Sequence, residues 1–215
     1  MSTTNLDELI TQIGADHFRT FLRDSNHDSS RAVKLYLWNK CLSSALWEII
    51  ADTEIFMRSA MDVELQTLNV TLGNAGSWFH EVFLDISPER KFEIIKAEFY
   101  VTKHAKPMLH PNIVAELTLG FWRSLLTKRY KDTLWRNALR FSFPNAPTGQ
   151  PEYIFTRVHH LNILRNRIAH HEPIHRRDIA RDFQICIEVL YAISPAIAQW
   201  TADNSRVLQL LAERP

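Results

Sequence analysis

The amino-acid sequence predicts an all-α protein folded as one domain. Its 215 residues include only 5 glycines and 9 prolines, and long stretches contain neither, which favours helices over turn-rich sandwiches and barrels. Hydrophobic residues make up 46% of the chain and charged residues 23%, a balance typical of a globular protein with a substantial core. No repeat or shift in composition marks a linker, so we expect a single domain over residues 1–215.

The sequence gives no sign of membrane insertion or secretion. No apolar run approaches the roughly 20 residues that span a bilayer, and the first ten residues lack the basic and apolar regions of a signal peptide. We therefore expect a cytoplasmic protein with no membrane partner. Cys41 and Cys186 each lie among apolar residues at helical spacing, which indicates neither a disulfide framework nor a CxxC metal site. We expect both cysteines in the core.

The first third of the chain predicts short helices followed by a long one. Residues 5–24 are typical of one or two short helices, within an N-terminal helical extension over residues 1–30. Asp28, Ser29 and Ser30 are N-cap candidates for the next helix. This helix is predicted to be long, because neither glycine nor proline occurs from residue 31 to about residue 68. Such a helix measures roughly 55 Å, which favours a kink or packing along a partner. Its predicted buried stripe consists of Leu35, Trp38, Leu42, Ala45, Ile49, Phe56, Ala60 and Val63.

The later helices are shorter and are separated by clear breaks. Residues 73–86 have no helical period and are interpreted as a connection whose aromatic side chains pack over the core. Ser87, Pro88 and Glu89 supply an N-cap, a first-turn proline and an early acid, which predicts a helix to about residue 105. Further helices are expected over about 111–125 and 133–141 and, after a proline-rich loop at 144–151, over about 153–171 and 178–212, the last interrupted near Pro195.

Positive and negative charges are nearly balanced over the whole chain, but two segments are rich in basic side chains. The formal net charge of +1 argues against a dedicated duplex-binding protein. Residues 123–140 and 165–181 are nevertheless rich in basic side chains, which suits a phosphate-bearing partner such as RNA. In the second segment the candidate RNA-binding side chains are Arg167, Arg176 and Arg177. The alternative is that both segments are only solvated helix faces.

The predicted helix at 153–171 has one apolar face and one polar face. Drawn at 100° per residue, Leu161, Leu164 and Ile168 share one arc and should face the core. The other arc carries four polar side chains and one small residue, namely Asn162, Arg165, Asn166, His170 and Ala169. Arg165 and His170 are about 140° apart, so their side chains diverge. A site shared by two chains that approach closely at Ala169 suits this geometry, and we therefore expect a homodimer.

One stretch of this helix carries a recognisable motif. LNILRNRIAHHEPI, residues 161–174, resembles the signature of HEPN domains, in which an arginine and a polar residue are followed a few positions later by a histidine. In this chain the motif is Arg165-Asn166-x3-His170, and the continuation HEPI resembles the Abi-like, or abortive-infection, branch. The stretches at 35–62 and 112–126 are also similar to helices of that branch. One departure is Met57-Arg58-Ser59, where relatives often have Leu-Arg-Asn.

The resemblance implies a HEPN-type helical bundle that cuts RNA as a homodimer without a metal or cofactor. It further implies an abortive-infection or toxin-like effector of phage defence, for which a cognate antitoxin is a candidate partner. Cleavage by the 2′-OH needs a base, an acid and a cation for the phosphate, so His170 and Arg165 are the candidate catalytic residues and Asn166 orients one of them. His171, Glu54 and Arg58 are supporting candidates, with Glu54 holding Arg165 by a salt bridge.

Other interpretations of the same residues stay open. The polar helix face and its terminal histidines are also compatible with a non-catalytic HEPN module that binds RNA or a protein partner. A more distant alternative is a zinc hydrolase, because His171-Glu172-Pro173-Ile174-His175 matches the H-E-x-x-H pattern, although Pro173 should break the helix that this pattern requires. If His170 is the catalytic histidine, His171→Ala should cost less activity than His170→Ala, because His171 lies a further 100° around the helix.

Overall fold

The computed structural model describes residues 6–81 and 85–215, and these residues form helices and no strand. The predicted all-α fold is thereby confirmed. Residues 1–5 of the predicted N-terminal extension and residues 82–84 of the predicted connection lie outside the described part. No helix within that part is long and apolar enough to cross a membrane. The α-helices are α1 (Leu6–Ile13), α2 (Ala15–Asp24), α3 (Ser29–Thr71), α4 (Pro88–Lys103), α5 (His110–Glu116), α6 (Leu119–Leu125), α7 (Pro151–Ala169), α8 (Ile179–Ile193), α9 (Pro195–Asn204) and α10 (Val207–Ala212).

Helix α3 is the predicted long helix, and the other helices pack along it. The carboxylate of Asp28 caps its start by accepting a hydrogen bond from the Arg31 backbone N–H at 3.0 Å. The 43 residues of α3 measure about 64 Å and form one continuous helix. At the far end of the chain α10 returns to α3, where the Trp38 indole N–H donates to the Leu210 carbonyl at 2.6 Å.

The buried stripe of α3 confirms the first half of the prediction and corrects the second half. Leu35, Trp38, Leu42, Ala45 and Ile49 are buried. Beyond them Phe56 and Ala60 are only partly buried and Val63 is exposed, and the buried side chains are Ile50, Thr53, Met57, Met61, Leu65 and Asn69. A four-residue step turns a helix about 40° past a full revolution, so the buried face rotates as α3 passes from one set of neighbours to the next.

The two cysteines have different environments. Cys186 on α8 is buried, as predicted, and burial raises the pKa of its thiol to about 12. Cys41 on α3 is exposed, so the prediction that it belongs to the core is wrong. The physical reason is angular: Cys41 lies about 100° from Leu42 around the helix, beyond the edge of the buried stripe.

The middle of the chain is less regular than predicted. The helix expected over 111–125 is split into α5 and α6, because the Thr118 hydroxyl caps α6 by accepting from the Phe121 N–H at 3.3 Å. The helix expected over 133–141 is replaced by short 3-10 and π turns at Lys128–Tyr130, Lys131–Trp135 and Leu139–Ser142. The Asn137 amide donates to the Thr133 carbonyl at 2.7 Å and so competes with helical bonding there. As expected, Trp78 and Phe79 from the connection after α3 pack in the core.

Candidate active site at the end of helix α7

Helix α7 presents its apolar face to the core and ends earlier than predicted. Leu161 and Leu164 are buried and Ile168 is partly buried, which confirms the predicted core-facing arc. The helix ends at Ala169 and not at about residue 171. His170 and His171 therefore lie beyond the helix, and the helical-wheel position assigned to His171 does not apply.

The early end of α7 is a Schellman motif, the usual way in which a left-handed residue closes a helix. The His171 N–H donates to the Ile168 carbonyl at 3.0 Å, and the Glu172 N–H donates to the Arg167 carbonyl at 2.9 Å. His171 has φ 57°, in the left-handed region that glycine usually occupies at this position. Because this position holds histidine and not glycine, the predicted end of the helix rested on Pro173, which lies further along the chain.

Hydrogen bonds to α2 and α3 fix the segment that follows α7. The buried amide oxygen of Asn39 accepts two backbone hydrogen bonds, from Ile174 at 2.9 Å and from His175 at 3.0 Å. The imidazole of His175 is buried with its Nε2 2.6 Å from Asp24 Oδ2. Arg176 donates through Nε to the same carboxylate oxygen at 2.6 Å and through Nη2 to the other. These contacts hold the residues next to the motif in one place.

The Asp24 cluster accounts for the H-E-x-x-H pattern without a metal. The Arg176 guanidinium, followed by His175, holds the pKa of the Asp24 carboxyl far below its usual range. Burial lowers the pKa of His175, although the Asp24 charge opposes that shift. His175 is therefore a buried side chain paired with a carboxylate, while His171 is exposed outside the helix. Among residues 6–81 and 85–215 no group of three potential ligands is placed to hold a metal ion.

The three arginines predicted to bind RNA are engaged in ion pairs. Arg167 Nε lies 3.2 Å from Glu172 Oε2. Arg176 pairs with Asp24, as described above, and Arg177 donates two hydrogen bonds to Asp182, at 2.7 and 2.8 Å. Their charges are thus largely balanced within the chain. RNA binding by these three residues stays a prediction.

Arg165 differs from these three arginines. Its guanidinium carbon lies 5.3 Å from the ring centroid of Trp47, a cation–π contact, and no carboxylate in the described part of the chain forms an ion pair with it. Its N–H donors are therefore available to a ligand. Arg165 is the motif arginine, so the residue that carries the predicted phosphate contact is also the one of these four arginines that has no carboxylate partner in the described structure.

Glu54 and Arg58 from α3 lie close to Arg165. Burial raises the pKa of Glu54, while the charges of Arg165 and then Arg58 act in the opposite direction. The Leu119 backbone N–H also donates to Glu54. The salt bridge predicted between Glu54 and Arg165 is not formed in the described structure, where the two side chains interact only through their charges. Arg58 donates to the Ala115 carbonyl at 3.4 Å. The fold brings Glu54 close to both Arg58 and Arg165, although more than 100 residues of sequence separate Glu54 from Arg165.

The remaining motif side chains are exposed and free. Asn166, His170 and His171 are exposed, and no side-chain partner is found for any of them among the described residues. No hydrogen bond links Arg165 with His170 within the chain. One copy of the motif thus supplies a cation and an imidazole that are not hydrogen-bonded to each other.

A cleft beside the motif was not predicted from the sequence. It has a volume of about 400 Å³ and lies between α3, α2 and the end of α7. Its lining residues are His17, Tyr36, Asn39, Lys40, Ser43, Ser44, Trp47, Ile168, Ala169, His171 and Glu172. A sequence feature that could have indicated the cleft is Trp47, a large aromatic residue on the long helix that lies outside the predicted apolar stripe of that helix.

Comparison with known proteins identifies a family to which the chain is similar. The model of the Abi-like protein family matches residues 3–176, which includes α3, α7 and the segment that follows α7. No curated protein and no solved structure matches the chain at a significant level.

Proposed function

We propose that this chain, which belongs to the Abi-like protein family, is a metal-independent endoribonuclease of the HEPN type that acts as a toxin-like effector in phage defence. The observation that supports this function most directly is the state of the motif side chains. Arg165 has no ion pair in the described structure, and His170, five residues later, is exposed without a side-chain partner there, whereas Arg167, Arg176 and Arg177 are paired with carboxylates.

These side chains suit RNA cleavage by attack of the 2′-OH on the adjacent phosphate. In this reaction the 2′ oxygen forms a bond to phosphorus, the bond to the 5′ oxygen breaks, and the 2′ proton passes to a base while an acid protonates the leaving oxygen. Imidazole can serve as base or acid near neutral pH, and a guanidinium can bind two phosphate oxygens. His170 takes the first role, Arg165 the second, and Asn166 orients the phosphate or the imidazole.

A complete site requires two chains. No hydrogen bond joins Arg165 to His170 within the described residues, and the exposed Ala169, which lies between them in sequence, presents no bulk to a partner. In a two-fold dimer each site then combines Arg165 of one chain with His170 of the other. The dimer is part of the proposal and is tested together with it.

Subunit mixing tests this arrangement. Arg165→Ala and His170→Ala should each reduce RNA cleavage by about 100-fold or more. If the two inactive variants are mixed and allowed to exchange, mixed dimers contain one intact site, and about a quarter of the wild-type rate should return. A mixture as inactive as either variant alone, with exchange shown by light scattering of tagged chains, would refute the shared site.

The cleavage products test the chemistry separately. Cleavage should continue in excess EDTA and leave a 2′,3′-cyclic phosphate or 3′-phosphate on one fragment and a 5′-OH on the other. Cleavage that requires a metal and leaves 5′-phosphate ends would contradict the mechanism. RNA binding without cleavage by the purified protein would instead favour a non-catalytic module.

A further inference from the structure

We infer that the cleft between α2, α3 and the end of α7 binds one nucleobase of a single-stranded RNA, stacked on Trp47. This inference rests on the proposed function, because it assigns the position of the substrate next to the motif. Trp47 connects the cleft with the motif: its side chain lines the cleft, and the Arg165 guanidinium lies over its ring, 5.3 Å from the ring centroid. A base in the cleft therefore lies beside the cation that binds phosphate.

The aromatic side chains of the cleft suit a base. Trp47 is 40% exposed, although most tryptophans of this protein are buried. Tyr36 and His17 line the opposite part of the cleft and contact each other edge to face, with ring centroids 6.3 Å apart. Bases stack on such side chains regardless of sequence, because every base has a π face. The volume of about 400 Å³ is at the small end of ligand pockets, which suits one nucleoside better than a larger ligand.

The polar side chains of the cleft have unused hydrogen-bonding capacity. Ser43, Ser44 and His171 line the cleft, and no hydrogen-bond partner is found for their side chains in the described residues. Lys40 lies 5.7 Å from the Tyr36 ring centroid and forms no ion pair within the same part of the chain. Together these residues provide donors and acceptors for a base edge and a positive charge for the backbone. A purely apolar occupant would leave them unsatisfied.

The geometry around Ala169 connects the cleft with the reaction. Ile168, Ala169 and His171 form the wall of the cleft that belongs to the end of α7, and His170 lies between them in sequence. A nucleotide whose base enters the cleft therefore places its sugar and phosphate close to the exposed imidazole. Trp47 is a substrate-positioning residue in this arrangement and has no part in proton transfer.

Tryptophan fluorescence gives a direct test with a matched control. Only Trp47 and Trp200 are substantially exposed, and Trp200 packs against Phe56 on another surface, with ring centroids 6.4 Å apart. Single-stranded 2′-O-methyl oligonucleotides of mixed sequence cannot be cut by 2′-OH attack and serve as the probe. Binding should quench the fluorescence of the wild type and of Trp200→Phe, and the quenching should disappear in Trp47→Phe.

Two removals test stacking directly: the indole ring of Trp47 is removed from the protein, and one base is removed from the RNA probe. Trp47→Ala should bind the probe about 5- to 100-fold more weakly, whereas Trp47→Phe should retain most of the affinity. A single abasic nucleotide, moved along the probe, should weaken wild-type binding most at one position. At that position Trp47→Ala should be insensitive to the loss of the base, because the stacking partner is already absent.

The results separate this inference from the proposed function. If Trp47→Ala binds and cleaves RNA like the wild type, the base site is refuted and the ribonuclease stands. If Trp47→Ala dissociates a dimer in light scattering while its affinity for the probe is unchanged, the cleft is a protein interface and the inference is wrong. If the wild type neither binds nor cleaves single-stranded RNA, the proposed function fails and the inference fails with it.

Discussion

Asn39→Ala should destabilise the protein by removing the contact that fixes the segment after α7. The Asn39 amide oxygen is buried and accepts from the backbone N–H groups of Ile174 and His175 at 2.9 and 3.0 Å. Each buried donor left without a partner costs about 1–3 kcal/mol. We expect a loss of about 3 kcal/mol after partial relaxation, which for a chain of this length lowers the melting temperature by about 6–12 °C.

The assay combines thermal unfolding with hydrogen exchange. The amides of Ile174 and His175 should lose protection in Asn39→Ala, because their acceptor is gone. Asn166→Ala is the matched control, since its side chain is exposed and unpartnered in the described structure, and its stability should change by less than about 0.5 kcal/mol. An Asn39→Ala variant that melts within about 1 °C of the wild type and retains amide protection would refute the role given to this side chain.

The other predictions concern one thiol, one backbone conformation and two titrating groups. A thiol reagent should modify about one cysteine per native chain, and Cys41→Ser should abolish that reaction while Cys186→Ser preserves it. His171→Gly should raise the unfolding free energy by about 0.5–1 kcal/mol in urea titrations, because the left-handed φ of 57° suits glycine; a loss of stability would contradict this. The pKa values of His175 and Asp24 are lower in the folded protein than in the unfolded chain, so the unfolded chain binds more protons as the pH falls. The free energy of unfolding should therefore fall below pH 6.5 because of His175. It should fall further below pH 3.8 because of Asp24. His175→Gln should flatten the first of these two decreases in pH-dependent melting curves, and an unchanged slope would exclude His175 as its source.

The sequence predicted those parts of the fold that depend on local periodicity and strong stop signals. The buried positions of α7 and of the first half of α3 follow from apolar spacing, and the Asp28 cap and the break at Pro195 follow from residue types with fixed backbone preferences. The second half of α3 was predicted less well, because Phe56 is apolar but only partly buried and Val63 is apolar but exposed. Hydrophobicity alone did not distinguish them from Met57 and Met61.

The environment of the candidate site could be predicted only in part. The motif residues were found from the resemblance, and their exposure agrees with a polar helix face. Which arginine is free could be predicted only in part, because Glu172 and Asp182 lie close in sequence to Arg167 and Arg177, whereas Asp24 lies 152 residues before Arg176. The left-handed conformation of His171 could not be predicted, because the residue that usually indicates such a helix end is glycine and not histidine.

The most direct test of the central claim compares two neighbouring arginines of α7. The claim is that Arg165, which has no ion pair in the described structure, binds the reacting phosphate, whereas Arg167 is paired with Glu172. The measurement is the initial rate of cleavage of single-stranded RNA in excess EDTA by the wild type, Arg165→Ala and Arg167→Ala, at equal folded concentration. We expect Arg165→Ala to lose about 100-fold or more and Arg167→Ala to lose less than about threefold. Full activity of Arg165→Ala, or equal losses in the two variants, would contradict the assignment of the phosphate-binding cation.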